Sequence, residues 1–419
     1  MPLPTRLKPI LSALSHPNYR VYASGNSISL IGTWMQRIAV GWVTWQLTQS
    51  GAWLGLMSFA EFFPSTFVAP IAGAVVDRHD GLSVSRLTQG LLMAQASTLA
   101  VLAFTGTLTI WYLLALTAFQ GVVTAFNQPA RLSIIANLVP RADLPVAVAI
   151  NSITFNTARF LGPSAAGLAI VAAGPAWAFA CNAVMFLAFL TSLWRIRIPR
   201  SVHAKPATGG LLSDIGAGYA YAARHRGIGP ILLLLMVGSI GARPVVELLP
   251  GFAGAIYGRG ADGLAMLTAS VGVGAVIGGL WLAQRGHIKG LTRLSITSGA
   301  AVAASALLFS VTDWFWLGVA TLGFSGAAMT MNGVAAQTLV QSAVAPAMRG
   351  RVLSLYGMVF RSGPAVGALI MGVASEWIGL RWPLALGAML VLATYAWSFR
   401  NLTGMATALE GSERIGTAD

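Results

Sequence analysis

Residues 32–78 read GTWMQRIAVGWVTWQLTQSGAWLGLMSFAEFFPSTFVAPIAGAVVDR. Two apolar runs meet at a short polar break, Thr48, Gln49 and Ser50, and the second run stops at Asp77-Arg78. With the residues just before it, the first run covers 22–47; the second covers 52–76. A hydrocarbon core about 30 Å thick takes roughly 20 residues of α-helix, so each run is long enough to cross it. Each also holds one charge in its interior, Arg37 in the first and Glu61 in the second. In lipid such a charge costs about 3 kcal/mol unless it is paired or faces water, which makes both residues candidates for function.

The same pattern continues along all 419 residues. The chain is 56% apolar and 9% charged, with a mean hydropathy of +0.72, where soluble domains carry about 25% charged residues. Ten further runs are bounded by charges, glycine, proline or polar turns: 84–105, 109–130, 145–172, 176–195, 228–253, 263–284, 292–311, 314–340, 351–374 and 382–400. The expected fold class is an all-α membrane protein with twelve transmembrane helices in two pseudo-symmetric six-helix bundles.

A formal charge of +14 invites a nucleic-acid reading, but the basic residues form no block and are spread between apolar runs. Nucleic acid is therefore not an expected partner. The basic residues alternate in side instead. With the N-terminus cytoplasmic, 20 of the 26 fall on that side, Arg259 and Arg381 fall opposite, and Arg37, Arg159, Arg243 and Arg361 lie within spans. A multi-pass protein of the cell membrane, in a bacterium the inner membrane, with both termini cytoplasmic is expected. The start MPLPTRLKPILSALSHPNYR lacks the apolar core and cleavage site of a signal peptide.

RIRIPRSVHAKPATGG, residues 195–210, is the longest polar stretch and divides the chain. The expected organisation is an N-terminal bundle over 1–195, a cytoplasmic linker over 196–227, and a C-terminal bundle with a short cytoplasmic tail over 228–419. Within the linker Leu211, Leu212, Ile215 and Tyr219 recur at helical spacing beside Asp214 and Arg224, which predicts a helix lying on the membrane surface. The halves repeat one another at an offset of roughly 200 to 207 residues. Pro140, Arg159, Gly162-Pro163 and Gly167 find counterparts in Pro346, Arg361, Gly363-Pro364 and Gly367. Duplicated six-helix halves with a site between them are a recurring plan of secondary transporters.

The quoted stretch, with AINSITFNTARFLGPSAAGL (149–168) and RGRVLSLYGMVFRSGPAVGALIMG (349–372), resembles the major facilitator superfamily over nearly the whole chain, and within it the enterobactin-exporter and macrolide-efflux type branch. The resemblance implies a major facilitator fold and three further features. Gly73-x-x-x-Asp77-Arg78 matches the core of a cytoplasmic gate, in which Asp77 meets basic groups and a helix N-terminus. His79, Asp80, Gly81, Leu82 and Ser83 depart from the family's usual continuation. Gly162-Pro163-x-x-x-Gly167 resembles the motif of antiporters; it is equally a packing and kink motif. Finally, the first, fourth, seventh and tenth helices line the family's cavity.

Those four helices carry polar stripes here. Asn26, Ser29, Thr33 and Arg37 share a face of the first; Gln120, Thr124, Gln128 and Arg131 a face of the fourth; Ser239, Arg243 and Glu247 a face of the seventh; Asn332, Gln337 and Gln341 cluster in the tenth. Arg37 and Glu61 sit at similar depth, so a pair that Glu61 leaves on protonation would make it a proton-coupling site; a static pair is the alternative. Glu247 is the second proton-coupling candidate, four residues after Arg243 and able to pair with it along one face. Arg159 and Arg361 either bind an anionic substrate or brace helix packing. Trp34 is the aromatic candidate for a substrate pocket.

The resulting expectation is a secondary active transporter, a proton-coupled exporter of a small amphipathic molecule such as a siderophore or drug, working as a monomer without cofactor on an ion gradient. An uptake permease of the same fold and a non-transporting receptor or scaffold are the alternatives. An intramembrane enzyme is disfavoured: His16, His79, His203, His225 and His287 form no ligand spacing, and Cys181 is the one cysteine. No Gly-x-x-x-x-Gly-Lys run marks ATP-driven transport.

Overall fold

The computed structural model describes residues 8–197, 211–285 and 288–410. In chain order the helices are α1 (Lys8–Ser15), α2 (Pro17–Thr48), α3 (Gly51–Arg78), α4 (Gly81–Phe104), α5 (Ile110–Leu138), α6 (Leu144–Ala173), α7 (Pro175–Arg195), α8 (Leu211–Arg224), α9 (Ile228–Gly241), α10 (Val245–Gly251), α11 (Ala261–Arg285), α12 (Leu291–Val311), α13 (Phe315–Ala343), α14 (Arg349–Ile378), α15 (Arg381–Phe399) and α16 (Leu402–Glu410). No strand occurs among the described residues.

Local chemistry sets many of the ends. Asp80 begins α4, its carboxylate accepting from the N–H groups of Leu82 and Ser83 (3.4 and 3.0 Å), so the departure from the family's loop pattern is a helix cap. Thr109 caps α5 through Tyr112 N–H. Gln49 adopts the left-handed region (φ 51°), a conformation that ends helices, which leaves only Gln49 and Ser50 between α2 and α3.

Among the described residues nine segments are long and apolar enough to cross a membrane: Gly51–Ala69, Gly81–Phe104, Ile110–Leu138, Pro175–Arg195, Ile228–Ile256, Ala261–Arg285, Leu291–Val311, Pro346–Ile378 and Arg381–Phe399. Helices α2, α6 and α13 coincide with the other three expected runs and have span length, at 32, 30 and 29 residues. Their polar and small side chains lower their hydropathy. Outward-facing apolar side chains such as Leu168 (74% exposed) and Trp377 (79%) suit lipid contact.

The seventh expected span, 228–253, is not one helix. It breaks at Ala242–Pro244 and ends in a π-helical turn, Phe252–Ile256. Pro244 has no N–H to give the carbonyl four residues back, and Ala242 and Arg243 both donate to Gly238 O instead.

The chain divides into two compact units, Met1–Leu47 with Ala60–Ala207, and Thr48–Phe59 with Thr208–Asp419. The expected linker boundary is thus modified by one segment: the first turns of α3 cluster with the second unit. A Cβ on Gly51 would strike the Ser375 side chain and one on Gly55 the carbonyl of Ala368, so both glycines allow backbone-close packing on α14. There Glu376 accepts from Ser50 Oγ (2.7 Å) and Ala52 N–H (3.2 Å). In the first unit α4 packs against α5 and α7; in the second, α13 packs against α11 and α12, and α14 against α9. The predicted surface helix is α8, with Tyr219 69% exposed and the side chains of residues 211–215 outside the described set. Expectations for residues 1–7, 198–210 and 411–419 also fall outside it.

Candidate functional site

In the first unit α2, α3 and α6 bring Trp34, Arg37, Glu61 and Arg159 together. Arg37 Nε lies 3.6 Å from Glu61 Oε2, with each side chain 18% exposed. This is ion-pair distance but longer than a charge-assisted hydrogen bond. The Arg37 guanidinium also lies 4.5 Å from the Phe62 ring centre and 5.2 Å from that of Trp34. Arg159 approaches the same indole at 5.5 Å, and Phe155 meets it edge-on at 5.8 Å. Cation–π contacts out of water are worth up to about 2 kcal/mol, so Trp34 offsets part of the cost of two buried cations.

Gly162 explains how α6 comes so near. A Cβ there would collide with Trp34 Cβ and lie 2.9 Å from Ile31 O. In this structure the antiporter-like motif therefore seats α6 on α2, with Pro163 and Gly167 buried along the same helix.

The remaining polar stripes of this unit are spent on other helices. Gln36 donates to Gln120 (2.6 Å) and to Gln95 (3.0 Å) and accepts from Asn182 (2.6 Å), all four amides buried. Gln120, expected at a cavity, belongs to this lattice. Arg131, expected in a cytoplasmic segment, is held inside the unit: its guanidinium donates to Asn26 (2.9 Å), Ser29 (3.1 Å) and Gln89 (3.0 Å) and stacks on Phe189 at 4.6 Å. Asn26 in turn donates to Asn151. Thr33 donates to Ser29 O of its own helix, and Thr124 is half-buried. Gln36, Gln89, Gln95 and Asn182 were absent from the sequence-based candidates; a buried-depth amide on a presumed peripheral helix was the available signal.

In the second unit Arg243 sits in the break between α9 and α10, 8% exposed, 4.1 Å from the Phe360 ring centre. Arg243 lies in the break between α9 and α10, so the continuous helix face expected to carry both Arg243 and Glu247 is interrupted. Glu247 is half-buried on α10, Arg361 is exposed on α14 beside Phe360, and Gln337 is exposed on α13. Asn332 is buried and donates to Ser295 O at 2.8 Å. At the gate motif, Gly73 has open space where a Cβ would stand and Arg78 is exposed at the end of α3; the Asp77 side chain lies outside the described residues. Among the described residues no His, Cys, Asp and Glu group is arranged for a metal.

The described residues form helices with charges and amides packed between them, and sequence comparison identifies the chain as a membrane transporter. The profile of the transmembrane secretion effectors matches residues 9–415, and the chain belongs to that family, a branch of the major facilitator superfamily. Macrolide efflux protein A of Streptococcus pyogenes is 22% identical over 385 residues, covering 89% of this chain and 93% of the relative. Enterobactin exporter EntS of Escherichia coli O1:K1 / APEC is 26% identical over 373 residues, 85% of each. The crystal structure of a bacterial homologue of the human lysosomal transporter Spinster, inward-facing and unoccupied, shares the fold with a TM-score of 0.67 at 14% identity, covering 95% of this chain and 98% of that one.

Proposed function

We propose that the protein is a proton-coupled exporter of a small amphipathic molecule, working by alternating access as a monomer in a bacterial inner membrane with both termini cytoplasmic. The observation that carries this reading is the Arg37–Glu61 pair beside Trp34. The two side chains lie 3.6 Å apart, and a carboxylate that takes a proton loses its charge attraction for a neighbouring guanidinium. Protonation then frees Arg37, next to an indole suited to a ring-bearing substrate. Export is supported by the two relatives, one a macrolide efflux protein and one an enterobactin exporter. Twelve spans follow if α2, α6 and α13, the most polar long helices, also cross the bilayer as the protein-facing wall of the transport path.

Reconstitution in vesicles with an imposed proton gradient tests it, using a macrolide and a catecholate siderophore as probes. Wild-type transport should collapse with the gradient, and Glu61→Gln should lower gradient-driven transport at least tenfold while leaving gradient-independent exchange. Unchanged coupling in Glu61→Gln would remove the proton role from Glu61.

A further inference from the structure

Arg243 presents a different problem from Arg37. The two are 206 residues apart, inside the offset of the internal repeat, and both lay a guanidinium on aromatic rings. Arg37 has a carboxylate at its edge, Glu61. Arg243 has none among the described residues, and its Nη1 is buried with no hydrogen-bond acceptor. The contact with Phe360 does not cure this: a ring below the guanidinium meets its face, whereas its N–H groups point outward in its plane and need acceptors there.

The neighbouring hydroxyls can accept as well as donate, but none reaches Arg243 Nη1. Ser239 Oγ, on α9 before the break, is likewise buried without a partner. Ser239 and Arg243 meet the same face of α14, Ser239 where Gly363 leaves no room for a Cβ and Arg243 at Phe360 three residues earlier. The nearby phenols are already committed, Tyr356 donating to Gly333 O (2.8 Å) and Tyr395 to Leu234 O (3.3 Å). The C-terminal end of α9 compensates the cation in part. Two unsatisfied donors, one of them charged, beside an aromatic wall call for an organic anion.

We propose that Arg243 and Ser239 form an anion-binding position in the second unit, taking the carboxylate of an aromatic acid whose ring lies against Phe360. The bound carboxylate completes there what Glu61 supplies in the first unit. This rests on the transporter reading and makes an acid group a preferred feature among its amphipathic substrates.

The test uses the full-length protein in detergent, with 1-naphthoate, methyl 1-naphthoate and inorganic phosphate as probes in titration calorimetry. Wild type should bind the acid at least tenfold more tightly than the ester or phosphate. Arg243→Met should abolish that preference and leave ester affinity unchanged, Arg243→Lys should keep part of it, and Ser239→Ala should weaken acid binding about threefold. Equal affinity for acid and ester, phosphate competing as strongly as naphthoate, or an unchanged preference in Arg243→Met would each overturn the assignment. If Arg243→Met does not fold, the wild-type preference and Ser239→Ala decide it. Gradient-driven export by wild type of the ester as fast as the acid would overturn this site while sparing the transporter reading. Acid selectivity without any gradient dependence would do the reverse.

Discussion

Gln36 and His225 show how much one polar side chain decides when water is scarce. Gln36 satisfies three other amides, on α4, α5 and α7. Removing a shared partner leaves buried groups unmet at about 1–3 kcal/mol, so Gln36→Leu should lower the unfolding temperature of the purified protein by several degrees despite being more apolar. A more stable Gln36→Leu protein would show that the lattice is dispensable. His225 stands before the first turn of α9, its Nδ1 accepting from the N–H groups of Gly227 and Ile228 (3.1 and 3.2 Å). That role requires a neutral ring with its proton on Nε2. Burial pushes its pKa below the ordinary 6.5. A lowered folded pKa contributes stability that is whole above about pH 6.5 and is lost as the pH falls through the folded value. His225→Ala should therefore cost about 1 kcal/mol at pH 7.5 and less at pH 5, read from thermal unfolding at the two pH values. A cost independent of pH would mean that the ring matters only for packing.

Helix starts differ between the halves in one instructive way. α4 is capped by its own preceding residue, Asp80. The equivalent start of α12 follows Gly290, which is left-handed at φ 80° and has no side chain to offer. The cap comes from the far end of the chain: Glu410, on α16, accepts from Gly290 N–H (2.7 Å) and Thr292 N–H (2.8 Å). Partial burial acts to raise the Glu410 pKa, but these backbone donors and Arg285 outweigh it and hold the group below its ordinary 4.5. Its contribution is therefore present above pH 4.5 and lost below it. Glu410→Ala should destabilise the protein by about 1–2 kcal/mol at pH 7, and truncation before residue 402 should do at least as much. Melting curves that coincide with wild type would deny α16 its capping role. The break after α9 belongs to this scale too. Pro244 was visible in the sequence, yet one proline inside an apolar run more often bends a helix than divides it. What divides this one is the packing of Gly367 against Ile240 O and the Pro244 ring.

For the whole molecule, the topology follows from charge and is open to direct measurement. In a Cys181→Ser background, a cysteine at position 259 should react with an impermeant maleimide on intact cells, and one at position 141 only after permeabilisation. The opposite labelling would invert the orientation. Hydropathy is a sum over many residues, so the helical class and the nine spans found among the described residues were legible in the sequence, and Arg37 and Glu61 stood out because a lone charge in lipid is costly. A linear chain does not say which helix a polar side chain faces. That is why Gln120 and Arg131 read as cavity and loop residues, though they are locked inside the first unit, and why Arg243 and Glu247 read as sharing one continuous helix that the structure interrupts at Ala242–Pro244. Helical periodicity names a face; only tertiary packing supplies the partner, because in a close-packed interior each hydrogen bond depends on a neighbour hundreds of residues away or on a break of a single turn.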